Sequence, residues 1–315
     1  MGGTLRASVL VPTYNRAGYL RLCLEGLAAQ SAGRDSFEVI VIDNNSPDET
    51  RSVVQGFAER VPGLTVRYLC EPQQGASHAR NRGVAVARGE FLCFLDDDAV
   101  PDRDWLTTLL AGFEDPAVGC IGAPCIPDYQ GRQRPPWLDG DLQGLLSGYK
   151  LRYVAPTYID KSPEFPISCN MAVRRSIFSQ VGIFRTDLDR VGRQVLGAGE
   201  TELIGRIQAA GWKILYLPGP AVRHLMAPER LEKRYLYRIG LGLAASHIIL
   251  TADRHPRVVL RWFASDIWYS VRMFLKLCLA IAARKRLWFD DYMRFWIVSQ
   301  RIPLRLRLLL HGSLT

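Results

Sequence analysis

No stretch of the chain holds about 20 uninterrupted apolar residues, the length a helix needs to cross a bilayer, so the sequence predicts no spanning helix. None of the seven cysteines (Cys23, Cys70, Cys93, Cys120, Cys125, Cys169, Cys278) belongs to a CxxC pair. Most lie inside apolar runs, where a free thiol packs as a small hydrophobe, and this predicts a reducing, cytoplasmic compartment. The opening MGGTLRASVLVP has no apolar core of signal-peptide length. A glycine- and lysine-rich phosphate loop is missing from VPTYNRAGYL, which argues against a nucleotidyltransferase. Internal repeats and low-complexity tracts are absent as well.

What the 315 residues do contain is ordinary for a folded protein: 48% are hydrophobic and 23% charged, enough for one large or two modest domains. The net charge of +9 favours an acidic partner, such as a nucleotide, a nucleic acid or an anionic membrane surface. Because the basic residues cluster beside apolar surface and form no broad polar patch, nucleic acid is the weakest of the three.

Over the first 125 residues short β-rich runs alternate with helical patterns. Strands are predicted at 7–12, 37–43, 64–69, 91–96 and 118–123, with helices near 17–30, 48–60, 75–88 and 102–113. Such alternation implies an α/β fold with a parallel sheet covered on both faces, which binds ligands beyond the carboxyl ends of its strands. Polar residues gather at those ends: Thr13, Tyr14, Asn15 and Arg16 after the first strand, Asp43, Asn44, Asn45 and Ser46 after the second, Asp96, Asp97 and Asp98 after the fourth. From about 124 to 166 the pattern breaks into a proline- and aromatic-rich segment, read as a loop region lining an acceptor site. Regular structure returns at 170–184, with a helix from about Glu200 and a strand near 213–218.

FLCFLDDD (91–98) runs five apolar residues into three carboxylates, which repel one another unless a positive charge sits among them. Alternation along the strand would turn Asp96 and Asp98 to one side, where a hard divalent cation carrying a diphosphate fits. In the competing reading Asp98 caps the helix entered through Pro101, while Asp96 and Asp97 are solvated.

SVLVPTYNR (8–16), VIVIDNNSPDET (39–50), QGASHARNRGVAVARGEFLCFLDDDAVPDRDWL (74–106) and GETELIGRIQAAGWKILYLP (199–218) together resemble the nucleotide-sugar glycosyltransferases of family 2. The likeness covers roughly residues 5 to 225 in the family's order. It implies the GT-A fold: a Rossmann-like, mostly parallel sheet flanked by helices. The implied catalytic domain is 1–227, with a nucleotide-sugar half at about 5–125 and an acceptor half at 126–227, followed by a helical, amphipathic extension at 228–315.

The resemblance further implies a metal-dependent, inverting transfer of a sugar from a nucleoside diphosphate, UDP being favoured, onto a carbohydrate or lipid-linked acceptor. It places Pro12, Thr13, Tyr14 and Arg16 near the base and ribose, and gives Asp43, beside Asn45, a ring NH of the base; an Asx turn closing the strand is the other reading of Asp43. Gly75 and Arg80 match a glycine-then-ARN pattern, the glycine passing close to the ligand and Arg80 serving phosphate or the acidic cluster; alternatively Arg80 lies on a solvated helix face. Asp96 and Asp98 would hold Mg or Mn in a DXD arrangement that includes Asp97, with His224 of AVRHL completing the site. Asn170, in SCNMAVR, is the implied contact to donor sugar or acceptor.

A base is needed to deprotonate the acceptor, and the helix start supplies Glu200 and Glu202. Here the chain departs from the pattern: relatives often carry two adjacent acids before Thr-Glu-Leu, whereas Gly199 precedes Glu200. Alignment gives Glu200 the role of base, with Glu202 as fallback; otherwise both only favour the helix dipole. Gly199 also leaves open a non-catalytic nucleotide-sugar-binding or scaffolding subunit of a polysaccharide assembly system.

Beyond 228, a helix would place Arg254, Arg257, Arg261, Arg272 and Lys276 within an arc of ~100°, with Trp262, Phe263, Ile267, Val271 and Phe274 elsewhere around it. The region 254–311 is therefore expected to contact a membrane peripherally, at the inner face of the plasma membrane. A helical subdomain or a homo-oligomer interface are the competing readings.

Overall fold

The computed structural model describes residues 5–138, 142–161, 164–188, 190–191, 194–195, 197–251, 256–284 and 288–311. Its elements in chain order are β1 (Ala7–Thr13), α1 (Ala17–Ala28), β2 (Phe37–Asp43), α2 (Thr50–Arg60), β3 (Thr65–Cys70), α3 (Ala76–Val86), β4 (Phe91–Leu95), β5 (Ala99–Pro101), α4 (Trp105–Ala111) and β6 (Val118–Gly122). These are followed by β7 (Cys125–Asp128), α5 (Leu142–Leu145), β8 (Thr157–Ile159), β9 (Asn170–Arg174), α6 (Ile177–Val181), β10 (Arg190–Val191), β11 (Gln194–Val195) and α7 (Gly199–Ala209). The last are β12 (Lys213–Tyr216), β13 (Val222–Leu225), α8 (Lys233–Leu250), α9 (Pro256–Ala282) and α10 (Trp288–His311).

The chain divides into two compact units, the first comprising residues 1–130, 147–189 and 199–226. It is built on an eight-stranded sheet of order β3-β2-β1-β4-β9-β6-β12-β8. The strands β1, β2, β3 and β4 pair in parallel, and every residue of β2 and β4 is buried, while β3 forms the half-exposed edge. The exceptions to the parallel run are β9, which runs antiparallel between β4 and β6, and β8, antiparallel to β12. The sheet is thus mostly parallel, and the fold is α/β.

Two glycines are fixed by close packing or backbone angle. A Cβ on Gly89 would stand 2.4 Å from the backbone of Ala7, where the chain turns into β4. Gly75, just before α3, has φ +140, a conformation side chains resist.

A small second sheet, β5-β13-β7, closes over the carboxyl end of β4. Its register sets His224 opposite Ala99 and Pro127, and the Leu225 amide donates to the Asp98 carbonyl at 2.8 Å. This pairing, and no sequence neighbourhood, brings residue 224 to residue 98.

The second unit comprises residues 131–146, 190–198 and 227–315, so two segments expected within the catalytic domain group with the C-terminal helices. Helix α10 packs on both α8 and α9. Among the described residues no helix is long and apolar enough to cross a membrane. Arg254 lies outside the described residues.

Candidate active site

The acidic triplet does not continue the strand. β4 ends at Leu95, and the Ala99 amide donates to the Asp96 carbonyl at 3.1 Å, closing a turn over Asp96–Ala99. Strand alternation therefore does not set the directions of the three carboxylates; the partners around the turn do. Asp96 takes a guanidinium N–H of Arg80 at 3.3 Å. Asp97 accepts from Thr13 Oγ1 at 2.8 Å and from Arg16 at 3.2 Å. Asp98 accepts from the same Arg16 nitrogen at 2.8 Å and faces His224 Nε2 at 3.0 Å.

The positive charge demanded by FLCFLDDD is thus supplied from three elements: the loop after β1, helix α3 and strand β13. Burial raises Asp97 above the usual carboxylate range; Arg16 and Thr13 pull the other way, and the neighbouring Asp98 and Asp96 add to the rise. His224 is 1% exposed, and burial opposes its charged form. Asp98 and the Cys125 thiol outweigh burial and push it up to about 10. Cys125 lies against Cys169, Sγ to Sγ 2.8 Å; burial raises this thiol, but Cys169 and His224 bring it below the usual thiol value.

Arg80 reaches in two directions. Its second terminal nitrogen lies 3.6 Å from Glu200 Oε1, and that same carboxylate oxygen accepts from Ser168 Oγ at 2.5 Å. One guanidinium thereby joins Asp96 to Glu200. Glu202 sits apart: it is bound bidentately by Arg206, one turn along α7, at 2.8 to 3.1 Å. Gly199 is buried, and a Cβ there would meet only Ser77 Oγ at 3.9 Å.

The second loop is knitted by its own polar groups. Asp43 accepts from the Ser46 amide at 2.9 Å, the turn anticipated in the competing reading, and its other oxygen accepts from the Tyr68 hydroxyl at 2.6 Å. Asn44 accepts from the Gly75 amide at 2.7 Å. Asn45 is exposed with φ +64, Tyr14 is 49% exposed, and Pro12 is half-buried at the end of β1. Thr13 is buried with its hydroxyl on Asp97, so it braces the acidic turn.

Asn170 is held within the fold. It is fully buried; its oxygen accepts from the Trp105 indole at 2.7 Å and its amide donates to the carbonyls of Pro124 and Pro220, both at 2.9 Å. Both amide protons are used within the fold, and the side chain ties β9 to the loops after β6 and β12. Ser168, two residues earlier, is the member of that segment that reaches a candidate catalytic group; nothing in its sequence spacing distinguished it.

The arrangement gathers a carboxylate cluster, two arginines and a further carboxylate at the end of a mostly parallel sheet. Residues 8–182 match the family model "Glycosyl transferase family 2". The chain belongs to that family and is a glycosyltransferase. Among its relatives are the glycosyltransferase AglE of Haloferax volcanii, 26% identical over 75% of this chain and 72% of AglE, and the succinoglycan biosynthesis protein ExoM of Rhizobium meliloti, 28% identical over 80% of this chain and 77% of ExoM. A solved mannosyltransferase from Pyrobaculum calidifontis, in complex with GDP-Man and Mn2+, shares the fold with a TM-score of 0.64 at 22% identity, over 98% of this chain and 88% of that one.

Proposed function

We propose that this glycosyltransferase moves a sugar, with inversion, from a nucleoside-diphosphate donor onto a carbohydrate or lipid-linked acceptor in polysaccharide or glycoconjugate assembly. The observation that carries this reading is the Asp96–Arg80–Glu200 chain, in which one guanidinium connects the acidic turn to a lone glutamate on α7. The relatives in glycoconjugate pathways and the nucleotide-sugar complex of the mannosyltransferase support the class of donor and acceptor.

In this reading a hard divalent cation such as Mg or Mn would be held by carboxylate oxygens of Asp96 and Asp98, while His224, kept charged beside Asp98, would orient that carboxylate by donating to it. When bound, such a cation supplies Lewis-acid stabilisation to a leaving diphosphate. Arg16, with its side chain 37% exposed, already bridges Asp97 and Asp98 and is placed to take phosphate oxygens beside them. Asp43, oriented by Tyr68, offers its carboxylate to the base of the nucleotide, with Tyr14 and Asn45 exposed in the adjoining loops. Glu200, positioned by Ser168 and Arg80, accepts the proton of the acceptor hydroxyl. A single base is what one in-line displacement requires, and that displacement inverts the anomeric centre.

The test is calorimetric titration of UDP, GDP and their sugar conjugates, with and without Mn2+, on the wild type and on the Asp96→Asn, Asp98→Asn double variant. Metal-dependent binding that disappears in the variant is expected, and the nucleotide that binds names the donor. Tight binding indifferent to metal and to both substitutions would overturn the reading.

A further inference from the structure

Helix α9 buries one side and, among the described residues, leaves an apolar strip on another largely exposed, with Phe274 at its edge meeting the Phe295 ring at 5.5 Å between centroids. At ~100° per residue, its buried residues Val259, Asp266, Ser270, Leu277 and Ala280 occupy an arc of about 80°. On another side Leu260, Ile267, Val271, Phe274, Leu275 and Leu279 are all exposed, within an arc of about 140°. Leu279 is 70% exposed and Leu275 57%. A continuous apolar strip of this kind is stable in water only at a cost, and marks a contact surface.

Charge at its border selects the occupant. Arg257, Arg261 and Arg272 are exposed at or beside the strip, and the guanidinium of Arg272 lies over the Trp268 ring, 5.5 Å from its centroid. Lys276, included in the basic stripe expected from sequence, is engaged by Asp291 at 2.9 Å. The sole acid in the sequence of α9 is Asp266, which is buried against Arg305 at 2.7 Å. Every exposed charge on α9 is therefore positive. A second copy docked on this face would set arginines against arginines, whereas an anionic bilayer presents opposite charge to the arginines and hydrocarbon to the leucines.

We propose that the Leu260–Leu279 face of α9 is a peripheral binding site for an anionic phospholipid surface, with the helix lying in the plane of the interface. This deepens, and rests on, the reading of a lipid-linked acceptor, since such a surface is where that acceptor is presented. Side chains such as Phe274 and Leu275 enter the headgroup boundary, while Trp268 and Arg272 sit at the level of the phosphates.

The full-length protein is sedimented with vesicles of phosphatidylcholine alone and with vesicles containing phosphatidylglycerol, at low and high salt. Binding is expected only to the anionic vesicles, weakening about tenfold or more as salt screens the arginines. Phe274→Glu with Leu275→Glu should abolish it; because both residues are exposed, unchanged circular dichroism and unchanged nucleotide titration should accompany the loss. Failure of the wild type to bind anionic vesicles at low salt would overturn the proposal while leaving the donor titration untouched. So would a wild-type dimer in sedimentation equilibrium that the same double variant makes monomeric, which would assign the face to a second copy.

Discussion

His224 Nε2 lies 3.0 Å from Oδ1 of Asp98, and both side chains are almost wholly enclosed. The contact spans 126 positions of sequence and exists because β13 pairs with β5. His224→Asn would leave a buried carboxylate oxygen facing a weaker, neutral partner. Manganese-dependent donor binding, measured by calorimetry, should weaken about 10- to 100-fold, the range seen when a group that tunes a metal site is removed. A loss of thermal stability with donor affinity unchanged would make His224 a strut for the acidic turn and nothing more.

The two glutamates of α7 should separate cleanly. Glu200→Gln keeps the size of the side chain and can still meet Ser168, but it has no basicity to take a proton. Turnover should fall about 10²- to 10⁴-fold, with nucleotide binding retained in the titration. Glu202→Gln removes one partner of a pair with Arg206 on the same helix, and its effect on turnover should be less than about threefold, with stability lowered by about 0.5 kcal/mol. Equal damage from both substitutions would contradict the assignment of the base.

Tyr68 donates to Asp43 at 2.6 Å, and burial together with Asp43 raises the phenol's pKa, keeping the O–H as a donor throughout the working pH range. Tyr68→Phe should free one carboxylate oxygen to rotate and weaken nucleotide affinity by about 1 kcal/mol, roughly fivefold in Kd, with turnover at saturating donor little changed. An unaltered Kd would leave Asp43 with only its turn-closing bond to Ser46.

These contrasts show where the sequence was informative. The strands at 7–13, 37–43 and 91–95 were legible because they are rich in apolar residues and each runs into a polar loop. Strand β9 was not, since nothing local announces that NMAVR inserts antiparallel between β4 and β6. The resemblance that named Asn170 likewise gave no sign that its side chain is tied to two carbonyls and an indole 46 to 65 residues away in sequence. Glu200 was preferred over Glu202 by alignment alone; the contrast in their partners, Ser168 and Arg80 against Arg206, could not be read from the sequence.

The second unit carries its own buried charge network, and it sets a pH dependence. Asp266 of α9 accepts from Arg305 of α10 at 2.7 Å, Arg305 donates to Thr251 at 2.9 Å, and Arg301 and His247 each stand 4.0 Å from Asp266. The ring of Trp262 packs edge-on to His247, at 5.8 Å between centroids. Burial, then Arg301, lower the His247 pKa; Asp266 opposes them and Arg305 adds to the fall, leaving it at about 4. The folded chain therefore holds a neutral imidazole that the unfolded chain protonates below about 6.5. This contribution to stability is complete above pH 6.5 and is lost as pH falls towards 4, with an upper limit of about 3 kcal/mol. Denaturant unfolding at pH 7.5 and 5 should show wild type losing more stability on acidification than His247→Gln, whose side chain does not titrate. Asp266→Asn should cost about 3–5 kcal/mol at either pH, because it leaves the fully buried Arg305 without its counter-charge. Parallel losses in wild type and His247→Gln would mean that His247 titrates alike in folded and unfolded chains, and that other groups set the acid response.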